Sequence, residues 1–336
     1  MDHSRAPGET TFVNPTNLCF AGPATCDDLQ MRHLHQPREV ASLTLVYVMN
    51  YSTFKTGLLI PVLTAFLLGC AGLPFQDATQ TSNVLANHDA PAARGAESCQ
   101  AAIASLSDET QSELDPSRIE LFVWNMQKGG HPDSYADLSR LAAGKDLVLI
   151  QEARLEQQPV DALNDANYWS FAPGYKTDSA STGVMTLSAT APLTHCHLSD
   201  REPWLRSPKA IGITHFGLES TNQTLAVVNV HAVNFTFGIA DFQRQLTKVV
   251  EALTDHDGPV ILAGDFNTWR DQRMEILYSI AEQLELDELS FESDNRVTPF
   301  GSIVDHVFVR GLNTVETSTE IVDSSDHNPM SITLSL

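Results

Sequence analysis

The sequence predicts an α/β domain of two or four layers over residues 118–336, on three observations. Short apolar runs at 119–126, 146–153, 225–233, 260–266 and 303–309 have the length and composition of buried strands. Between them, Ile239, Phe242, Leu246, Val249, Val250 and Leu253 recur at helical spacing until Gly258-Pro259 ends the run, and 274–286 supplies a second helix. Several of the strands end in polar residues of catalytic type, and in such folds ligands collect where strand ends give way to loops. No internal repeat at a fixed period interrupts the pattern.

Taken in order, the first strand runs into Asn125 and the second into Gln151-Glu152, placing an amide and then a carboxylate where water and ligand can reach them. Hard cations such as Mg²⁺ take one or two oxygens of this kind and complete their shell with water and phosphate. Either strand end alone reads more readily as a solvated terminus. The third strand closes on Asn229-Val230-His231, with Asn234 on the following loop, and a histidine so placed can donate to a phosphate oxygen or protonate a leaving group. The fourth delivers Gly264-Asp265-Phe266-Asn267, in which glycine permits close backbone approach while Asp265 and Asn267, two apart, can point to one side of an extended chain. Asp305-His306 follows Ile303-Val304, and Ser325-Asp326-His327 precedes the last strand at 330–336. A carboxylate at Asp305 that orients His327 would form the acid–base pair that phosphoester hydrolysis needs. His195, His197, His215 and His306 read as ordinary strand or loop residues rather than ligands.

Composition narrows the partners. The 336 residues carry 42 acidic side chains against 20 Lys+Arg, a formal net charge of −22, so the broad field repels polyanions and disfavours long duplex nucleic acid. A bound cation or a local basic cluster can still invert the field over a few ångströms, so a small anionic substrate stays open. The 5 cysteines show no paired spacing of a structural zinc site. No stable protein partner is expected.

The amino-terminal third reads as an address. Residues 57–68 are apolar and uncharged, too short for the roughly 20 residues of a membrane span but of signal-peptide length. Lys55 precedes them and small residues follow, so 49–69 is read as a lipoprotein-type signal peptide and 1–48 as an over-extended, non-structural start. Leu67-Leu68-Gly69-Cys70 resembles a bacterial lipobox, which would make Cys70 the lipid-modified first residue of an exported, membrane-tethered protein of the cell envelope. Residues 70–117, rich in Ala, Ser, Thr, Asp, Glu and Gln, are read as a flexible tether with room for one short helix. Cys99 and Cys196 would then be either a disulfide in an oxidising compartment or two buried thiols.

Read together, WNMQ at Trp124, QE at Gln151, NVHAVN at Asn229, GDFN at Gly264, DH at Asp305 and SDH at Ser325 resemble the endonuclease/exonuclease/phosphatase (DNase I-like) superfamily, in the family order. The strings 202–209 (EPWLRSPK) and 264–269 (GDFNTW) are most similar to its bacterial YafD-like branch. The resemblance implies a four-layer α/β/β/α sandwich and a divalent-metal-dependent phosphoric ester hydrolase using Mg²⁺ or Mn²⁺. It implies Glu152 as the main metal ligand, helped by Asn125 and Asp326, and Asp265 and Asn267 as the residues that place the attacking water or the phosphate. His327, oriented by Asp305, resembles the catalytic histidine, while His231 and Asn234 look like phosphate and leaving-group contacts. Whether Asp265 or His327 takes the proton of water is left open. Arg206 and Lys209 are candidate phosphate contacts, with a solvated loop as the equal alternative, and Lys128 stands under the same choice. Repair nucleases of the group carry an acidic residue two places after the first Asn, where this chain has Gln127, so their two-carboxylate metal site is not implied. The expected substrate is a small phosphodiester or phosphomonoester or a lipid head group; the alternatives are a DNA or RNA nuclease of the same superfamily and a non-catalytic binding module.

Overall fold

Alternating side chains in a few central strands sort the domain into layers. The computed structural model describes residues 85–106, 113–157, 163, 166–177, 180–203, 207–236 and 238–336. The segments 1–48 and 49–69, Cys70 and Arg206 lie outside the described residues.

The described strands form two sheets. The first runs, in lateral order, β1 (Leu85–Ala86), β6 (Tyr168–Lys176), β7 (Ser181–Ser188), β5 (Leu147–Arg154), β4 (Ile119–Asn125), β15 (Met330–Ser335) and β14 (Asn313–Thr319). The second runs β12 (Asp287–Glu288), β13 (Asp305–Arg310), β11 (Val260–Asp265), β10 (Thr224–His231), β9 (Pro208–Leu218), β8 (Thr194–Arg201) and β2 (Ala92–Arg94), with β3 (Glu113–Leu114) paired to β9. Leu121, Val123 and Leu149 of the first sheet meet Phe216, Val227, Ile261 and Val307 of the second in one buried cluster. The intervening residues of the same strands turn outward, as the two-residue period of a strand requires.

On the outer side of the first sheet, Phe122, Trp124, Val148 and Ile150 pack against Leu138 of α2 (Ser134–Leu141). On the outer side of the second, Val228, Leu262, Ile211 and Cys196 pack under α1 (Ala96–Ala104), α3 (Ala240–Leu253) and α4 (Asp271–Gln283). The apolar stripe of α3, Phe242, Leu246, Val249 and Leu253, is the one its spacing predicts, and each such side chain contributes roughly 1.5–3 kcal/mol by leaving water. The result is the α/β/β/α sandwich, with both predicted helices within a few residues of their expected limits.

The tether reading of 70–117 is corrected where the chain is described. β1 pairs with β6, β2 runs parallel to β8, β3 runs parallel to β9, and α1 packs on α3 through buried Cys99. Composition did not signal this because strands of two or three residues are held by backbone hydrogen bonds at sheet edges, which no side-chain period encodes. Cys99 and Cys196 are free, buried thiols, and the Cys99 thiol beside it, with burial, pushes Cys196 up. No described helix is long and apolar enough to cross a membrane.

Three histidines expected to be structural are buried: His195 and His197 on β8 and His215 on β9. Burial, joined at His195 by His88, at His197 by Arg94 and at His215 by His256, lowers them from 6.5 to about 4, about 4 and about 3. Below pH 6.5 the unfolded chain binds protons that the fold refuses, so this stability is fully present above 6.5 and is lost as pH falls toward 4. Each histidine adds a slope of up to about 1.4 kcal/mol per pH unit. Denaturant unfolding is expected to show a midpoint that drops steeply between about pH 6.5 and pH 4.5, and a His215→Asn variant a shallower drop; a flat profile would contradict the assignment.

Candidate active site

The inward positions of the central strands are apolar until the last one or two, which are polar, and these last positions share one end of the sandwich. In β4 the inward series Ile119, Leu121, Val123 ends on Asn125. In β10 Leu225 and Val227 lead to Asn229 and His231, in β11 Ile261 and Ala263 lead to Asp265, and in β13 Val309 and Val307 lead back to Asp305. Register then sets them side by side: His231 pairs laterally with Asp265, and Asp265 with Asp305. Hydrogen bonds cross from sheet to sheet at this edge, Asn125 Nδ2 donating to Asp265 Oδ2 at 3.0 Å and Gln151 Nε2 to Asn229 Oδ1 at 2.7 Å.

Glu152 breaks the alternation. By parity it would face outward, but the β5–β7 ladder shifts register between Ile150 and Ala153, and Glu152 adopts φ 53°. A bulge with a left-handed residue re-aims one side chain, and it is costly for a glutamate unless the surroundings hold it. Here Lys128 Nζ lies 2.7 Å from its carboxylate, His231 Nε2 3.8 Å and Lys209 Nζ 3.9 Å. Gly264, at φ 138°, serves the same edge: a Cβ there would overlap the carbonyl of Val230 on the neighbouring strand.

Asp265 is the hub. Its Oδ1 accepts the backbone N–H of Asn267 at 2.9 Å, its Oδ2 lies 3.6 Å from His231 Nε2 and 3.9 Å from His327 Nε2, and Asn267, at φ 52°, donates its side-chain amide to the carbonyl of Ala232. His327 Nδ1 and Asp305 Oδ2 are 2.7 Å apart. Burial raises the Asp265 carboxyl; the His327 charge opposes this and Asp305 adds to it, leaving Asp265 at about 6. Burial opposes the charge on His327, but Asp305, Asp265 and Asp326 outweigh it and raise the imidazole to about 10. His231 goes the other way: burial, then the cations Lys209, His327 and Lys128, hold it well below 6.5.

One expected role changes. An ammonium only donates, so at 2.8 Å from Lys209 Nζ the Nε2 of His231 is an acceptor. His231 therefore holds Lys209 in place, and the proton facing the cavity belongs to Lys209. That cavity, about 410 Å³, is lined by Lys128, Glu152, Lys209, His231, Asn234 and Phe235, with walls from β6 and β7. Asp326, expected as a metal ligand, is exposed, and its charge acts on His327. Among the described residues no cluster of three or more His, Cys, Asp and Glu could cage a metal. Carboxylate and amide oxygens of Glu152 and Asn125 still suit a hard cation held by one or two protein oxygens, and the lysine ammoniums against Glu152 stand where positive charge is gathered.

Three supports escaped the sequence. Arg273 is buried and donates to the carbonyls of Val233, Asn234 and Asn267 and to the Thr236 hydroxyl. Its signal was an arginine on the apolar stripe of α4, in line with Leu277 and Ile280. Glu202, also buried, accepts the backbone N–H groups of Asn234 and Phe235, and Arg296 donates to the carbonyl of Asp305. Glu202 was visible only as the first residue of the 202–209 string, and Arg296 carries no local spacing that would mark it.

A profile of the Endonuclease/Exonuclease/phosphatase family matches residues 122–327. Among solved structures, an endonuclease/exonuclease/phosphatase from Bacteroides vulgatus superposes with TM-score 0.53 at 14% identity, covering 66% of this chain and 99% of that one. One from Beutenbergia cavernae gives 0.51 at 16% identity, covering 66% and 72%. A mannosyl-6-phosphatase from Bacteroides thetaiotaomicron gives 0.50 at 15%, covering 65% and 100%. These likenesses are of fold.

Replacing Asp305 by Asn removes the first of the carboxylates that hold the proton on His327. The His327 ring, followed by NMR, is expected to titrate well below its native value of about 10, and an unchanged titration would contradict the pairing. Gly264→Ala is expected to lower stability by at least about 1 kcal/mol, read from denaturant unfolding.

Proposed function

Because the chain belongs to the endonuclease/exonuclease/phosphatase family, we propose that it hydrolyses a phosphoester bond in a small phosphorylated molecule or lipid head group, with Mg²⁺ or Mn²⁺ at Glu152 and Asn125. The observation that carries this reading is the line His231, Asp265, Asp305 with His327 between the two aspartates. A bound divalent cation would screen the phosphate charge and polarise the phosphoryl oxygen. Asp265, raised toward neutrality and steadied by Asn125 and Asn267, is the base that takes the proton of the attacking water. His327 keeps its proton at neutral pH and so acts as a fixed positive charge toward the phosphoryl oxygens, with Asp305 setting its ring. Lys209, held by His231, and Asn234 contact the phosphate from the cavity side.

The net charge of −22 favours a small substrate over duplex nucleic acid. The apolar run at 57–68 followed by Cys70 supports export with a lipid anchor in a bacterial envelope. A nuclease would instead show DNA affinity that falls steeply with salt.

The test is a screen of generic phosphodiesters and phosphomonoesters with Mg²⁺ or Mn²⁺. Activity is expected to vanish on chelation and to fall by roughly 10²–10⁴ in Asp265→Ala and in His327→Ala. The rate should rise as Asp265 loses its proton near pH 6, or lower once a cation is bound, and decline as His327 loses its proton near 10. Turnover that survives chelation, or both substitutions, overturns the mechanism.

A further inference from the structure

Asn234 is held from three sides. Its backbone N–H donates to Glu202 Oε1 at 2.9 Å, its carbonyl accepts from Arg273 Nη2 at 2.7 Å, and its side-chain Oδ1 accepts from the indole Nε1 of Trp269 at 2.9 Å. Indole nitrogen is a donor only, so the atom it meets must be the amide oxygen, and this decides which way the amide faces. The Nδ2 group, with two N–H donors, has no partner among the described residues and belongs to a side chain lining the cavity beside Lys209 and His231. Trp269 is itself clamped. The Arg270 guanidinium lies 4.2 Å and that of Arg273 5.2 Å from its ring, and Phe300 sits against it at 6.2 Å. Cations near an aromatic face draw on its π density and so favour the indole as a donor.

We propose that Trp269 is a positioning residue: it locks the Asn234 amide with its NH₂ toward the cavity, so that this site selects a tetrahedral oxyanion, a phosphoryl group, over a neutral ligand. The proposal deepens the phosphoesterase reading and rests on it for the identity of the anion. An amide free to flip would present its oxygen to an anion half the time, which repels rather than binds. An ammonium at Lys209 and an oriented amide at Asn234 together offer donors from two directions, which a rotating side chain would not.

The test uses the full chain. Trp269→Phe keeps an aromatic ring beside the arginines and removes the N–H donor. It is expected to lower kcat/KM by up to about tenfold, the range of one hydrogen bond, with an unchanged unfolding midpoint. In an Asn234→Ala background the same change should add less than about twofold, since its effect passes through that amide. Asn234→Asp keeps the acceptor for the indole, deletes the donors and adds a negative charge facing the anion, so it should lose more than Asn234→Ala; a smaller loss overturns the idea even if Trp269→Phe folds poorly. A readout without turnover comes from NMR of the Asn234 side-chain amide: inorganic phosphate should shift its NH₂ signals in the native protein and leave them little changed in Trp269→Phe. Equal kcat/KM in native and Trp269→Phe, or an equal loss with and without Asn234, overturns the proposal, as does an unmoved NH₂ signal. A native protein that shifts this signal with phosphate yet hydrolyses no phosphoester overturns the enzymatic reading and leaves the role of Trp269 standing.

Discussion

The site depends on one constraint: β10, β11 and β13 end in register, on the same parity, at the same edge. Lateral pairing puts His231, Asp265 and Asp305 in a row, and the apolar positions behind them on each strand bury the row's base between two sheets. A slip of one residue in any of the three would turn its polar residue to the outer core and an apolar one into the cleft. Every other part of the site is arranged around that row. Asn125 reaches it from the opposite sheet, Glu152 is bent toward it by a bulge, and His327 arrives on the loop before β15.

Packing ionisable groups this closely separates their protonation states. His231 and His327 both stand near Asp265, yet they titrate in opposite directions because their remaining neighbours differ. His231 is buried beside Lys209, and a second positive charge there is unfavourable. His327 stands between two carboxylates and keeps its proton. The pair therefore divides into a neutral acceptor and a cationic donor by environment alone, the usual way one residue type serves two roles in a single cleft.

The loops that carry Asn234 and Asn267 start from the buried core residues Ala232, Val233 and Phe266, and polar supports hold the backbone beyond them. Arg273 gathers three carbonyls and a hydroxyl from both loops, and Glu202 takes two backbone N–H groups of the first. Each is a buried charge made acceptable by several hydrogen bonds, and each fixes loop backbone. Trp269 extends this scheme from backbone to side chain.

By itself the sequence determined the central strands, the two long helices and the residues on the strand ends, because the two-residue and 3.6-residue periods are local and the polar residue closing each apolar run stands out against them. It also placed Gly264, where only a residue without Cβ fits beside Val230. Only the tertiary structure decided the rest. The short strands of 85–94 and 113–114 exist through edge pairing with β6, β8 and β9, which leaves no period to read. Glu152 faces the cleft because a bulge reverses its parity, Arg273 and Glu202 act across loops distant in sequence, and the protonation of His231 and His327 follows from neighbours contributed by other strands and loops. Residue types are set along the chain, whereas burial, register and the field at an ionisable group are set by what the fold brings within a few ångströms of it.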